Sequence, residues 1–386
     1  MDSVSHVVIG AGLAGASTAW HLARRGHEVL LLERDRPASA RGSSHGSARI
    51  FRYPYANPLY TSLVQRAAPL WEELSAITGE PLITRTGGLD HGDLVPSAGL
   101  SRTLARYGIE HELLAPDAAQ ARWPQFRFET EVLYQPDAGV LDAEGTVRAM
   151  VRAARNHGAE LRTDWTVDAI ERADGGYLVH GATGEPVRAA QIVVAVGGWL
   201  PELLPLLPLS DAFRAGLPTL EVTQEEVFHF PYAEPFVDAD WPTVIRQDRS
   251  SRSYALPGGR DAGFRGFKIA EYHAGTALAS AADQDGRIAD AARAAMVERI
   301  VSEYPGLDPE PYAETTCLFT MTPSEDFVID GDDGITILSA CSGHGAKFAP
   351  LLGELVADEL TGGPRVPAEF RVAGPASSPT ELLPAP

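Results

Sequence analysis

"HVVIGAGLAGASTAWHLARRGHEVLLLER", residues 6–34, carries the pattern that decides the fold. Residues 6–10 are a short apolar run, residues 13–25 repeat apolar side chains at helical spacing, Gly26 can end that helix, and residues 28–33 form a second apolar run. The order is strand, tight turn, helix, strand. Between the first strand and the helix, Gly10, Gly12 and Gly15 stand in G-x-G-x-x-G spacing. Gly10 permits the turn, Gly12 lets backbone N–H groups approach a pyrophosphate, and Gly15 lets helix and strand touch, with the helix N-terminus favouring negative charge. Glu33 closes the second strand, eighteen residues past Gly15, where a carboxylate accepts hydrogen bonds from a ribose 2′-hydroxyl. Glycines alone would fit any turn in an α/β protein; strand, helix and acid together point to a dinucleotide. The motif does not separate NAD from FAD, and Arg34 keeps NADP open on charge, although Glu33 opposes a 2′-phosphate.

The pattern extends beyond this unit. Residues 144–200 read as a helix, a strand over 160–172, a turn at "DGG", a strand "YLVHGA" and a buried strand "QIVVAV" that runs into glycines; residues 335–362 repeat strand, glycine turn and helix. The intervening stretches are richer in Pro, aromatics and alternating patterns and read as strands of a second domain. The expectation is an α/β protein: a doubly wound, Rossmann-like domain from residues 1–85, 143–215 and 318–365, and a mixed-sheet domain from 86–142 and 216–317. Residues 366–386 are Pro-rich and are expected to form a loosely ordered tail.

Composition narrows the partners. A formal net charge of -20 over 386 residues opposes nucleic acid and anionic membranes, which leaves small-molecule chemistry as the expectation. Two cysteines make no disulfide framework, and the first residues lack the basic and apolar regions of a secretory signal, so a cytoplasmic location is expected. The longest apolar runs fall far short of the roughly 20 residues that span a bilayer. No metal site is expected.

Five further motifs occur in order: "RGSSHGSARIFRYPYA" (41–56), "SYALPGG" (253–259), "GFKIAEYHAG" (266–275), "TTCLFTMTPSEDFVIDG" (315–331) and "CSGHGAKFAP" (341–350). With the glycine motif they resemble the D-amino-acid-oxidase superfamily of FAD proteins, in particular the group of monomeric sarcosine oxidase and N-methyltryptophan oxidase. The resemblance covers residues 4–362. It implies an FAD-binding domain and a substrate domain, a monomer, and oxidation of the C–N bond of a secondary, N-methyl or cyclic amino acid to an imine, with O2 reduced to H2O2. Two alternatives stand beside it: a dehydrogenase with another electron acceptor, and a dinucleotide-binding module without catalysis.

The resemblance also implies roles for residues. Arg52, as a bidentate fork, and Lys347, as a point charge, hold the substrate carboxylate, since a dry pocket accepts an anion only beside cations. Tyr254 lines the pocket, Arg49 stands above the flavin ring, and Lys268 lies on the opposite flavin face where it favours O2 reduction. Ser43 and Ser44 wrap the ribityl and phosphate region; Gly343, His344 and Gly345 open a helix toward the pyrimidine edge. Cys317 carries FAD through a thioether, leaving Cys341 as a structural cysteine. The chain departs from the sarcosine-type pattern at Ser47 (an aspartate there), Ala48 (a threonine), Phe319 (a tyrosine) and Tyr272 (a histidine). Fewer hydroxyls and more apolar surface suggest a larger or greasier substrate than sarcosine.

Overall fold

The computed structural model describes residues 3–182 and 184–372. Ser3–Ile9 lies between Val29–Leu32 and Val187–Val194, all parallel, and Glu160–Arg162 extends the sheet beyond Val29–Leu32. The C-terminal half of Val187–Val194 pairs in parallel with Ile335–Ser339, while its N-terminal half takes the hairpin Val167–Ala173 and Gly176–Gly181 in antiparallel. Val328–Asp332 pairs antiparallel with Ile335–Ser339. The apolar runs are continuous because both faces are buried. Val8, Leu31 and Val193 enter a core shared with helices Leu13–Ala23, Ala143–Asn156 and Ala349–Leu360; Val7, Leu30, Ile192 and Val194 enter a second core on the opposite face. Helix Ala349–Leu360 closes on Leu13–Ala23 through Gly353, where a Cβ would stand 2.2 Å from the Ser17 backbone.

The stretch 160–172 is two strands rather than one. Asp164, at φ 55, turns the chain, so that Glu160–Arg162 joins one side of the sheet and Val167–Ala173 the other.

A second, nine-stranded mixed sheet among the described residues draws on Gly88–His91, Glu112–Leu114, Val132–Gln135 and the strands from Glu221–Phe230 to Ala313–Met321. Ala313–Met321 pairs along its whole length with Glu221–Phe230, so the boundary expected at 317/318 falls inside a strand. The stretches read as strands also hold helices Ser97–Arg106, Pro116–Arg122 and Asp290–Glu303. In the first of these, Leu100 and Leu104, one turn apart, bury its inner face.

Residues 366–372, expected in the loose tail, are docked. Phe370 is fully buried against Tyr60 and Phe327, and Arg371 bridges Asp330 and Glu359. Residues 373–386 lie outside the described residues. Among the described residues no helix is long and apolar enough to cross a membrane, and no cluster of three His, Cys, Asp or Glu side chains is placed to hold a metal ion.

Candidate active site

The glycine motif forms a tight cradle at the end of the first strand. Gly10 sits at φ 100, where a Cβ would be 2.5 Å from the Ala195 carbonyl oxygen, and a Cβ on Gly15 would be 1.8 Å from the Gly10 carbonyl oxygen. Only glycine closes this turn. The Ser44 hydroxyl accepts from Leu13 N–H (3.0 Å) at the start of helix Leu13–Ala23. Glu33 accepts from the N–H groups of Ala11 (2.7 Å) and Asp35 (3.0 Å). Burial pushes the Glu33 carboxyl up while those two donors oppose it. Each oxygen keeps a lone pair for a further donor. Arg34 lies 5.0 Å over the Trp199 ring, whose buried Nε1 has no partner among the described residues. From this cradle a cavity of about 560 Å³ extends past Ser43 and Ser44 to Cys317, Gly343 and Lys347.

At its far end two groups of charges meet the cavity. Arg49 donates from Nη2 to the carbonyls of Ser43 (3.1 Å) and His45 (2.9 Å) and comes within 3.6 Å of Cys317 Sγ. Burial by itself would push the Cys317 thiol up; Arg49, with His45 and Lys268 nearby, overrides this and holds it at about 6. Cys341, in the same cavity wall, has no such cation and is pushed up by burial to about 11. Lys268, in strand Phe267–Glu271, is 4% exposed, does not line the cavity, and donates to the Ala48 carbonyl (3.1 Å). Burial and then Arg49 pull its ammonium down to about 7.

Arg52, just past strand Arg49–Phe51, and Lys347, in the turn Gly345–Phe348, converge on Tyr55. The Arg52 guanidinium lies 4.8 Å over the Tyr55 ring, and Lys347 Nζ donates to Tyr55 Oη (2.9 Å) and to the His344 carbonyl (2.8 Å). Burial, then Arg52, hold the Lys347 ammonium well below its ordinary range. Arg52 Nη1 donates to Asp90 Oδ1 (2.9 Å) and to the Pro54 carbonyl. Tyr254 and Phe319 continue the wall, and burial raises the Tyr254 hydroxyl. Toward solvent, Arg252 stacks 4.6 Å over Tyr272 and pairs with the half-exposed Glu325 (3.2 Å).

The site thus runs from a glycine cradle and an acid after the second strand to Cys317, Arg52 and Lys347. Residues 5–359 match the family described as FAD dependent oxidoreductase. The chain belongs to this family. It is 32% identical to monomeric sarcosine oxidase of Streptomyces avermitilis over 92% of this chain and 93% of that protein. It is 29% identical to N-methyl-L-tryptophan oxidase of Yersinia pestis over 91% and 93%. Among solved structures, NikD, an unusual amino acid oxidase essential for nikkomycin biosynthesis, superposes with a TM-score of 0.84 at 23% identity, covering 98% of this chain and 99% of that one. L-proline dehydrogenase from P. horikoshii gives 0.80 at 20% identity over 96% and 97%. These structures share the fold.

In this FAD-dependent oxidoreductase the residues present fit the cofactor. The cradle leaves no room for a Cβ, the cavity is elongated, and Glu33 and the unpartnered Trp199 Nε1 offer polar atoms at one end. Several expected residues behave differently. Both ring nitrogens of His344 are spent inside the protein: burial holds the imidazole neutral, Nε2 donates to the Glu325 carbonyl (3.0 Å), and Nδ1 accepts from Tyr55 Oη (3.2 Å). The Gly345 N–H donates to the Cys341 carbonyl (3.2 Å) and is not offered to the cavity. Gly345 is required for another reason, since a Cβ would stand 1.6 Å from the Ala340 carbonyl oxygen. Ser47 and Ala48 do not line the cavity. Ser47 donates through N–H (3.0 Å) and hydroxyl to Asp261, so of the three positions only Phe319 faces the cavity. Sequence reasoning missed Tyr55 and Asp90. Tyr55 stood inside a quoted motif, whereas Asp90 is 38 residues from Arg52 with no pattern linking them.

Proposed function

We propose that this protein oxidises the C–N bond of a secondary, N-methyl or cyclic amino acid to an imine, with O2 as electron acceptor. The carrying observation is the pair Arg52 and Lys347, joined through Tyr55 on the wall of the cavity that begins at the glycine cradle. A buried ammonium held far below its ordinary range is a site waiting for an anion: a substrate carboxylate would restore its charge and satisfy its donors. The names of the two sequence relatives support the amino-acid class.

In this reading Arg52 and Lys347 bind and orient the carboxylate, and Tyr55, locked by His344, fixes where Lys347 points. The two cations also favour the neutral form of the substrate amine, so no side chain has to act as a strong base. Tyr254 and Phe319 exclude water from the reacting carbon. FAD, held by the Gly10–Gly15 cradle and Glu33, would supply the two-electron acceptor for this oxidation and the donor that reduces O2 to H2O2. Lys268, held on the Ala48 carbonyl, is assigned to the oxygen side, where a fixed cation stabilises the negative charge that develops on O2. Cys317, whose thiolate is favoured by Arg49, is assigned as the thioether tether of FAD.

A peroxide-coupled screen across primary, N-methyl and cyclic amino acids tests the assignment. Turnover of at least one secondary amino acid is expected. A yellow, folded protein silent on all of them would overturn it. Acid precipitation should leave the yellow colour in the pellet; a colourless pellet and a bare polypeptide mass would remove the tether.

A further inference from the structure

Asp90 is the one carboxylate in hydrogen-bond contact with the carboxylate clamp among the described residues. It lies in strand Gly88–His91, is 2% exposed, and stands behind Arg52 outside the cavity wall. Its flanking strand partners, Ile245 and Leu133, carry no charge. The groups that face it electrically are Arg52 and Lys347, and the Tyr55 hydroxyl, which burial and Asp90 keep protonated. Next to it, His91 is kept neutral by burial, and Arg246 beyond is taken up by Asp248 and Glu303. A buried carboxylate with a single donor is expensive unless the charge it meets is itself in need of compensation.

Its contact occupies one edge of the guanidinium. Arg52 Nη1 is spent on Asp90 and the Pro54 carbonyl, while Nε and Nη2 have no hydrogen-bond partner among the described residues. Those two nitrogens form the fork that grips a carboxylate in parallel bonds. Tyr55 stacks on the guanidinium, so its rotation is blocked by an edge contact and a face contact together.

Charge follows the same arrangement. Arg52 and Lys347 together would present two positive charges; Asp90 cancels one. A ligand with one carboxylate then completes a neutral set, whereas a ligand with two would leave an excess negative charge in a dry site.

We propose that Asp90 is the positioning residue of the clamp and sets its charge, fixing Arg52 for bidentate binding and selecting substrates with a single carboxylate. The inference rests on the carboxylate-binding reading of Arg52 and Lys347. It also predicts a pH dependence, because burial lifts the Asp90 carboxyl to about 6 against the opposing pull of Arg52 and Lys347. Protonation of Asp90 raises the positive charge of the clamp, so anion affinity should rise as pH falls through that region.

The test titrates the holoenzyme with acetate and with malonate, read by the change in visible absorption of the bound flavin. Wild type should prefer acetate, with a step in acetate affinity centred near pH 6. Asp90→Asn should shift the malonate-to-acetate preference toward malonate by about tenfold or more, the effect of one unit charge a few ångströms away in a partly dry site, and should shrink that step to what the proton taken up by Lys347 contributes. Asp90→Glu should keep the wild-type preference. Equal weakening of both anions in Asp90→Asn, with the step undiminished, would mark a merely structural strut and overturn the proposal. Should the Asn variant not accumulate, a flat acetate affinity in wild type across about pH 5–7 would do the same. The clamp reading fails separately: in that case neither anion perturbs the flavin, or Arg52→Ala binds acetate as wild type does.

Discussion

In protein produced without cofactor, alkylation of Cys317 should titrate with a half-point near pH 6, against 9.0 for an ordinary thiol. The drop corresponds to about 4 kcal/mol in favour of the thiolate, and it must be supplied over an opposing burial effect. Arg49, 3.6 Å from Sγ, is the largest favourable contributor. Absolute rates would mislead as a readout. A thiolate of lower basicity is intrinsically less nucleophilic, and over this range that loss of about 15–30-fold cuts the roughly 90-fold gain in thiolate fraction at neutral pH to about three- to six-fold. The half-point is therefore the quantity to measure, by iodoacetamide labelling across pH with peptide mapping to separate Cys317 from Cys341, which should stay unlabelled until strongly alkaline pH. Arg49→Gln should move the half-point upward by roughly one to three pH units, the effect of one opposite charge at close range. The sign extends to stability. A group whose folded pKa is depressed contributes stability that is present above its unfolded pKa and lost as pH falls through about 6, so the cofactor-free protein should lose this contribution on acidification and the Arg49→Gln variant should not. A wild-type half-point near 9, or one that Arg49→Gln leaves unmoved, would refute the electrostatic account of this cysteine.

Further expectations follow from the same geometry. Arg52→Ala and Lys347→Met should each raise KM for an amino-acid substrate by about 30-fold or more, the cost of leaving a buried charge unpaired, measured by steady-state oxygen uptake. Lys268→Met should slow the reaction of the reduced enzyme with O2 by roughly 100-fold in stopped flow while leaving anaerobic reduction by substrate largely unchanged. In wild type the O2 step should weaken as pH rises through about 7, where the lowered Lys268 ammonium loses its charge. Gly15→Ala should yield protein without FAD, since its methyl would stand 1.8 Å from the Gly10 carbonyl oxygen. Phe370→Ala should destabilise the protein by about 3–5 kcal/mol in chemical denaturation, because the ring is fully buried.

The readable parts of the sequence were those where local pattern and tertiary role coincide. The apolar strands, the glycine spacing and Glu33 declare themselves because a parallel sheet buried on both faces and a phosphate-binding turn each leave a short-range signature. Asp164 breaks a strand pattern only by adopting positive φ, which nothing in its neighbours announces. Phe370 is buried by a partner surface formed by Tyr60 and Phe327, so a Pro-rich end concealed a docking residue. His344 and Gly345 were legible as important but not in their roles, since one is consumed by a hydrogen-bond chain and the other by a close carbonyl. Asp90 and Asp261 act through partners 38 and 214 residues away, a distance over which a single chain carries no pattern.

The most direct measurement is anaerobic mixing of the purified yellow protein with a panel of N-methyl and cyclic amino acids, followed by admission of O2. The account predicts that at least one substrate bleaches the flavin without oxygen, that Arg52→Ala needs far more of it, and that O2 restores the colour with one H2O2 per imine formed. A flavin that stays oxidised with every member of the panel, or bleaches equally well in Arg52→Ala, would contradict it.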